Sequence, residues 1–241
     1  MSEKMNVGNA QAFAKIELQS LSVGSYSRRE AYKTLRTNVM FCGADKKVIG
    51  FTSCAPAEGK TTTVIQLARA LTEVGRRVLM IDADMRRSVM VARYGGSGVQ
   101  YGLSQYLSGQ VEREEAIYQT QYEGFHIVFA GYYPPNPVEL LDSQRFAEFI
   151  AWAREEYDYV LIDNPPISGI IDAVVTAKCC DGMIMVVAKG AESARQIRSC
   201  IQQIERSGAP MLGVVLNATS RRGVYGKKNH YYHYYYQHTA E

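Results

Sequence analysis

The sequence predicts an α/β fold with a mostly parallel sheet and helices on both faces. Short apolar segments alternate with helical patterns, and these segments are continuously apolar rather than alternating with polar residues. Strands that are apolar on both faces are typical of a parallel sheet covered by helices. The apolar segments are spread evenly between Val48 and Asn217 of a 241-residue chain, which favours a single core.

The elements follow in order along the chain. Residues 27–41 carry apolar side chains at helical spacing after a possible capping serine, Ser27, and predict the first helix. A second helical pattern lies between the first two strands and ends at Gly75. Residues 93–136, rich in turn glycines, predict short helices and loops over the sheet edge. The predicted strands are 48–52, 77–82, 126–130, 159–163, 183–188 and 212–216.

The two ends of the chain differ from this middle part. Residues 1–25 are polar and aperiodic, so we expect an arm outside the core. The predicted division is a flexible arm at 1–26, one domain at 27–220 and a flexible tyrosine-rich tail at 221–241. The tail holds three histidines and a tyrosine cluster formed by Tyr225, Tyr231, Tyr232, Tyr234, Tyr235 and Tyr236.

Composition excludes several classes of protein. Apolar residues make up 46%, charged residues 21%, and the net charge is +3, which names no partner. No apolar run reaches the roughly 18 residues that span a bilayer, and the start lacks the apolar core of a secretory signal, so we expect a cytoplasmic protein. Five cysteines without CxxC spacing predict reduced, ordinary thiols.

The segment 51–63, FTSCAPAEGKTTT, predicts a phosphate-binding loop between a strand and a helix. Gly59 allows close backbone approach to phosphates, Lys60 reaches the β and γ groups, and the Thr61 hydroxyl is a ligand for Mg²⁺. The match is incomplete, because Cys54 and Ala57 stand where glycines are common. The alternative is an ordinary turn rich in small residues.

Carboxylates follow two of the predicted strands. Asp82 and Asp84 end the strand in VLMIDADMRR, and Asp163 ends the strand in YVLID. The carboxyl edge is where open α/β sheets bind ligands, so these groups are expected to face the phosphate loop. An aspartate in such a place often merely caps the next turn. Three of them in a chain that also contains GKT favour a metal and phosphate site.

These motifs together resemble those of the bacterial protein-tyrosine autokinases of capsule and exopolysaccharide synthesis. The resemblance covers residues 28–236 and includes GLSQYLSG at 102–109, AGYYPPNPVELLDS at 130–143, GVVLN at 213–217 and the tyrosine cluster. It implies a P-loop NTPase-like fold and an ATP- and Mg²⁺-dependent tyrosine kinase that phosphorylates its own tail in trans.

The resemblance also implies roles for single residues. Asp82 would be the base, with Lys60, Asp84 and Arg86 as further catalytic groups. ATP would lie on the loop, and Mg²⁺ on Thr61, Asp84 and Asp163. The six tail tyrosines would be the phosphoacceptors. The loop residues assigned to ATP are Ala57, Glu58, Gly59, Lys60, Thr61 and Thr62.

The partners implied are a transmembrane adaptor that recruits the chain to the inner face of the plasma membrane, a cognate tyrosine phosphatase, and further copies in a ring. The family's ring motif stands here as Glu30, Lys33 and Arg36, with a lysine for the first arginine. The alternative is an exposed helix face with an i, i+3 ion pair. Two further departures are Ser88 for proline and Asn164 for serine or threonine.

Other function classes stay open. A nucleotide switch of the kind that partitions DNA or places the division site shares the loop and the aspartates, but it carries an early loop lysine where this chain has Ala55. A non-catalytic ATP-binding assembly subunit is another class. The tail residues alone also suit base stacking in a single-strand binder or a histidine metal site, but the net charge of +3 and the histidine spacing favour neither, and we expect no nucleic acid partner.

Overall fold

A computed structural model of the chain describes residues 13–19, 24–95, 98–168 and 170–218. Within these residues, eight strands form one sheet in the order β1-β4-β5-β3-β6-β2-β7-β8, and all neighbours are parallel except β4 and β5. The predicted α/β class with a mostly parallel sheet is confirmed. The strands are β1 Ala14–Lys15, β2 Val48–Ser53, β3 Val78–Asp82, β4 Ile117–Gln119, β5 Phe125–Val128, β6 Tyr159–Asp163, β7 Gly182–Ala188 and β8 Met211–Asn217.

All six predicted strands are present, with ends shifted by at most two residues. The short strands β1 and β4 were not predicted, since two or three residues carry no readable periodicity. Strand β4 lies within the stretch 93–136, which otherwise contains the expected short helices and turns. It pairs antiparallel with β5 and extends the sheet at that edge.

Helices cover both faces of the sheet, and the buried apolar side chains form three clusters between the sheet and these helices. The helices are α1 Tyr26–Phe41, α2 Lys60–Thr72, α3 Leu103–Leu107, α4 Arg113–Ala116, α5 Pro137–Leu141, α6 Gln144–Glu156, α7 Asp172–Ala177 and α8 Ala194–Glu205, and a π-helical turn spans Val91–Gly95.

The ends of the first two helices test two predictions. Helix α1 begins at Tyr26 after Ser25, whose backbone is extended, so the expectation that Ser27 is the cap was wrong. Ser27 already lies inside the first turn. The expected stop of α2 is confirmed, because Gly75 adopts a left-handed φ of 76° and its N–H donates to the Thr72 carbonyl.

The segment at residues 13–19 corrects the expectation that residues 1–25 lie outside the core. Ile16 and Leu18 are buried, and the Ile16 N–H donates to the Gln119 carbonyl over 2.9 Å. The Gln121 side chain bonds both backbone groups of Leu18, at 2.9 and 3.0 Å. Ile16 and Leu18, at alternate positions directly after β1, therefore belong to the core even though they lie in a polar stretch.

None of the helices in the described ranges is both long and apolar enough to cross a membrane.

Leu18→Ala tests whether residues 13–19 belong to the core. Because Leu18 is 3% exposed, its truncation is expected to lower the free energy of unfolding by about 2 to 4 kcal/mol. Lys15→Ala, at an exposed position of β1, is the matched control and should change it by less than about 0.5 kcal/mol. Urea unfolding followed by circular dichroism measures both, and equal midpoints for the two variants would show that the segment is not part of the core.

Candidate active site

The phosphate loop joins the carboxyl end of β2 to α2. Gly59 is the N-cap of α2 with a left-handed φ of 82°, and Ala57 is also left-handed, with a φ of 64°. A residue with a Cβ pays roughly 1 to 2 kcal/mol for that conformation, which gives a physical reason for a glycine at position 57. At the start of α2 no side chain caps the N–H groups of the first turn. Such N–H groups can bind an anion.

Two side chains hold the loop from behind. The buried Glu58 carboxylate accepts hydrogen bonds from the N–H groups of Ala55, at 2.8 Å, and of Ala188, at 3.1 Å. The Asn217 amide donates to the Glu58 carbonyl over 2.8 Å, and a Cβ on Gly59 would overlap that amide. The loop is therefore anchored to the ends of β7 and β8.

Lys60 and Thr61 both contact Asp163. The Lys60 ammonium is buried and pairs with Asp163 Oδ1, and the Thr61 hydroxyl donates to Asp163 Oδ2 over 2.7 Å. Burial raises the pKa of Asp163, although the Lys60 ammonium acts in the opposite direction. These contacts bring the three residues together at the carboxyl edge of the sheet.

Asp82 lies beside Asp163 because β3 and β6 are parallel neighbours in which these two residues are register partners. The Asp82 side chain is 1% exposed; Oδ1 accepts from the Asp84 N–H over 3.1 Å, and Oδ2 accepts from the Ser88 hydroxyl. Burial, and then repulsion from the Asp163 carboxylate, raise the pKa of Asp82 to about 7. Asp82 therefore has a much higher proton affinity than an ordinary carboxylate.

The other expected catalytic groups lie at the edge of this cluster. The Asp84 carboxylate is partly exposed and accepts from the Arg87 N–H over 3.0 Å. Arg86 instead makes a two-pronged pair with Asp172, at 2.8 and 3.1 Å. Asp172 is fully buried at the start of α7. These hydrogen bonds of Arg86 join the segment after β3 to α7 rather than to Lys60 or Asp163.

Other predicted residues make contacts away from the phosphate loop. The Thr62 hydroxyl lies 3.1 Å from that of Tyr94. Lys33 and Glu30 form the i, i+3 ion pair at 2.8 Å, and Arg36 donates to the Ala70 carbonyl of α2 over 2.9 Å. The six tail tyrosines lie outside the described residues.

The available oxygen ligands fit a magnesium ion. Mg²⁺ prefers hydroxyl and carboxylate oxygens, and it usually takes only one or two from the protein beside substrate phosphates and water. Thr61 and Asp163 place two such groups 2.7 Å apart at the start of α2. No set of three or more histidine, cysteine, aspartate or glutamate side chains in the described ranges is arranged to hold a metal alone.

Sequence reasoning missed three residues that shape the site. Asn217 was visible only as the end of GVVLN, Ser88 only as a departure from proline without an assigned contact, and Asp172 carried no separate signal. Asn164, a noted departure, is buried and donates to the Phe51 carbonyl over 3.1 Å, while its own oxygen accepts from Thr176 over 2.6 Å. Asn164 therefore ties β6 to β2 behind the site.

A phosphate loop that opens a helix, flanked by aspartates at the ends of neighbouring parallel strands, defines the class of P-loop nucleotide-binding proteins. A family model described as an AAA domain, AAA_31, matches residues 46–212. The tyrosine-protein kinase CpsD of Streptococcus agalactiae is 36% identical over 207 residues, which cover 83% of this chain and 90% of the relative. The chain belongs to the tyrosine-protein kinase family, as the sequence motifs indicated.

Solved structures agree with this assignment. The chimerical protein CapA2B2 superposes with a TM-score of 0.78 at 29% identity, covering 86% of this chain and 95% of that one. The kinase domain of the Escherichia coli tyrosine kinase ETK gives 0.76 at 31% identity, covering 81% and 77%. MinD of Pyrococcus horikoshii, a septum site-determining protein complexed with Mg-ADP, gives 0.58 at 28% identity over 73% and 72%.

The Arg86–Asp172 pair can be tested by a double-mutant cycle. Arg86→Met leaves a buried carboxylate without its partner and should lower the free energy of unfolding by roughly 2 kcal/mol, less than for a fully buried pair because Arg86 is 38% exposed. Adding Asp172→Asn should restore part of that loss. Urea unfolding of the single and double variants measures the coupling, and purely additive effects would argue against the pair.

Proposed function

We propose that the chain transfers the γ-phosphoryl group of ATP to tyrosine hydroxyls of its own tail, Tyr225 to Tyr236, in a neighbouring copy. The observation that carries this proposal is the placement of a buried carboxylate of raised pKa, Asp82, in register with Asp163, which contacts Lys60 and Thr61 of the phosphate loop. A base and a phosphate site thus share one edge of the sheet.

In the proposed step, the tyrosine oxygen bonds to the γ-phosphorus, the bond from that phosphorus to the β–γ bridging oxygen breaks, and ADP leaves. The tyrosine proton passes to the Asp82 carboxylate. A tyrosine hydroxyl has a pKa of about 10, so a base with a pKa of about 7 takes its proton more readily than an ordinary carboxylate.

Lys60 would leave Asp163 to neutralise phosphate oxygens, with the helix-start N–H groups binding the same phosphates. Thr61, Asp163 and Asp84 would hold Mg²⁺. When bound, this ion would stabilise the negative charge that develops on the phosphate oxygens during transfer. Loop residues 57–62 would cradle ATP through their backbone, since the Glu58 carboxylate is turned inward.

The runner-up is a nucleotide switch related to MinD, which shares the fold. Two observations favour the kinase. The structural similarity to the ETK kinase domain is higher, with a TM-score of 0.76 against 0.58 for MinD. Position 55 of the loop also holds alanine, whose N–H is bonded by Glu58, in place of the early lysine of such switches.

The cellular role is part of the same proposal. The chain would regulate capsule or exopolysaccharide synthesis at the inner face of the plasma membrane, with a transmembrane adaptor, a tyrosine phosphatase and a ring of further copies as partners. Each phosphate adds nearly two negative charges to a mildly basic tail. Unmodified tails would dock in neighbouring active sites, and phosphorylated tails would repel each other and release the ring.

Mass spectrometry of residues 225–241, from full-length chain made in its own host, tests the kinase activity. Wild type should carry phosphotyrosine there, and Lys60→Met should reduce it at least about 100-fold, because the loop cation that neutralises transition-state charge is gone. Lys178→Met, at an exposed lysine paired with Asp142, is the matched control. An unmodified wild-type tail would favour the switch or the assembly subunit, and equal labelling in Lys60→Met would exclude Lys60 from the reaction.

Sedimentation velocity tests the ring. Lys33 is half exposed and its ion pair lies within α1, so Lys33→Glu leaves the fold intact while reversing charge on the proposed contact face. The unmodified wild-type chain should sediment as an oligomer, and Lys33→Glu should shift it to monomer. Lys178→Glu is the matched control, since it also reverses one exposed charge but at a residue that is not part of the proposed ring motif. The same mass for all three proteins would contradict a ring built through Glu30, Lys33 and Arg36.

A further inference from the structure

A short segment covers Asp82 on the solvent side. We call Arg86–Val89 the cover segment; it runs between two buried methionines, Met85 and Met90, which anchor its ends. The Tyr133 hydroxyl donates to the Ser88 carbonyl over 3.2 Å and holds the middle of the segment. The cover segment is therefore fixed at its ends by apolar burial and in its middle by one hydrogen bond.

Ser88 is the residue of this segment that reaches the base. Its hydroxyl donates to Asp82 Oδ2, and the Met90 N–H donates to the same Ser88 oxygen over 3.1 Å, which fixes the direction of the hydroxyl. The other carboxylate oxygen, Oδ1, already accepts from the Asp84 backbone. With both oxygens bonded, Asp82 is only 1% exposed.

The hydrogen bond from Ser88 to Asp82 resembles the contact that an acceptor hydroxyl makes with the base before phosphoryl transfer. An acceptor hydroxyl must approach Asp82 and donate a hydrogen bond to its carboxylate before its proton is transferred. A hydroxyl of the same chain already makes that bond from the solvent side. The two hydroxyls compete for one buried carboxylate that the solvent does not otherwise reach.

We propose that Ser88 occupies the acceptor-hydroxyl position on Asp82, and that the substrate tyrosine must displace it, so that Ser88 sets the affinity of the enzyme for acceptor tyrosines. This inference rests on the proposed function. Displacement requires the cover segment to move outward between its methionine anchors, which breaks the Tyr133–Ser88 hydrogen bond.

Tyr133 lies at the entrance that such a movement would open. It is 64% exposed, its neighbour Tyr132 is 75% exposed, and the next residues are Pro134 and Pro135, which stiffen the loop. An exposed aromatic ring on a stiff loop can stack against the ring of an incoming tyrosine. Tyr133→Phe removes the hydrogen bond to the cover segment but keeps this ring.

The size of the effect follows from the bond that is lost. A hydrogen bond to a charged group contributes roughly 1.5 to 3 kcal/mol, and water replaces part of it when the serine hydroxyl is absent. Ser88→Ala is therefore expected to lower the KM for an acceptor tyrosine peptide roughly fivefold relative to the KM for ATP. Tyr133→Phe should also lower the KM for the acceptor peptide, by about twofold, since it removes a hydrogen bond between neutral groups.

The experiment uses the full chain with the six tail tyrosines replaced by phenylalanine, so that no internal acceptor competes. A peptide of residues 225–241 is the acceptor, and peptide and ATP are varied separately in a phosphotransfer assay. Ser88→Ala and Ser88→Cys should both lower the peptide KM, and Ser88→Thr, which keeps the hydroxyl, should keep it high. Val74→Ala, at an exposed valine just after the carboxyl end of α2, is the matched control.

The outcomes separate the two proposals. No phosphotransfer to the peptide by the protein with intact Ser88, together with an unmodified wild-type tail in the host, overturns the proposed function and this inference with it. Phosphotransfer with the same peptide KM in Ser88→Ala, Ser88→Cys and the unsubstituted protein overturns the inference alone. A lower kcat in Ser88→Ala, with peptide KM unchanged, would show that Ser88 positions Asp82 for catalysis and also overturns the competition. If Ser88→Ala fails to fold by circular dichroism, Ser88→Cys decides between these outcomes.

Discussion

The site depends on the contact between the Lys60 ammonium and the Asp163 carboxylate. Lys60 is the only lysine or arginine among the described residues that is buried, and it stands beside two buried carboxylates, Asp163 and Asp82. One ammonium cannot compensate both carboxylates in a medium of low dielectric constant. Burial, and then this excess of negative charge, raise the pKa of Asp82. The buried Lys60–Asp163 pair keeps an ammonium group at the start of α2, where nucleotide phosphates bind in P-loop proteins.

The parallel sheet creates this concentration of charge. Because β3, β6 and β2 are neighbouring parallel strands, Asp82, Asp163 and the phosphate loop all come to the same edge. All three strands are fully buried, and their charged side chains, Asp82 and Asp163, stand at the strand ends. The buried Glu58 carboxylate and the Asn217 amide then fix the loop to β7 and β8, so five strands of the sheet contribute to one phosphate site.

The residues that depart from the family pattern have visible consequences. Ala57 adopts a left-handed backbone that a glycine would adopt without strain. Asn164 bonds across β6 and β2 through a buried side chain, and Ser88 brings a hydroxyl to Asp82 where a proline would bring none. The lysine at position 33 keeps an ion pair within its own helix. These substitutions leave Lys60, Asp82 and Asp163 in place and change the groups around them.

Local sequence patterns by themselves determined the α/β class, six of the strands, the phosphate loop and the three strand-end aspartates, because continuous apolar runs, helical spacing and GKT are properties of neighbouring residues. Only the tertiary structure decided which groups meet. The Arg86–Asp172 pair, the Ser88 bond to Asp82, the Asn217 bond to the loop and the burial of Leu18 all join residues through loop conformation or strand register. These contacts depend on how separate segments pack, and no local period in the sequence records that packing.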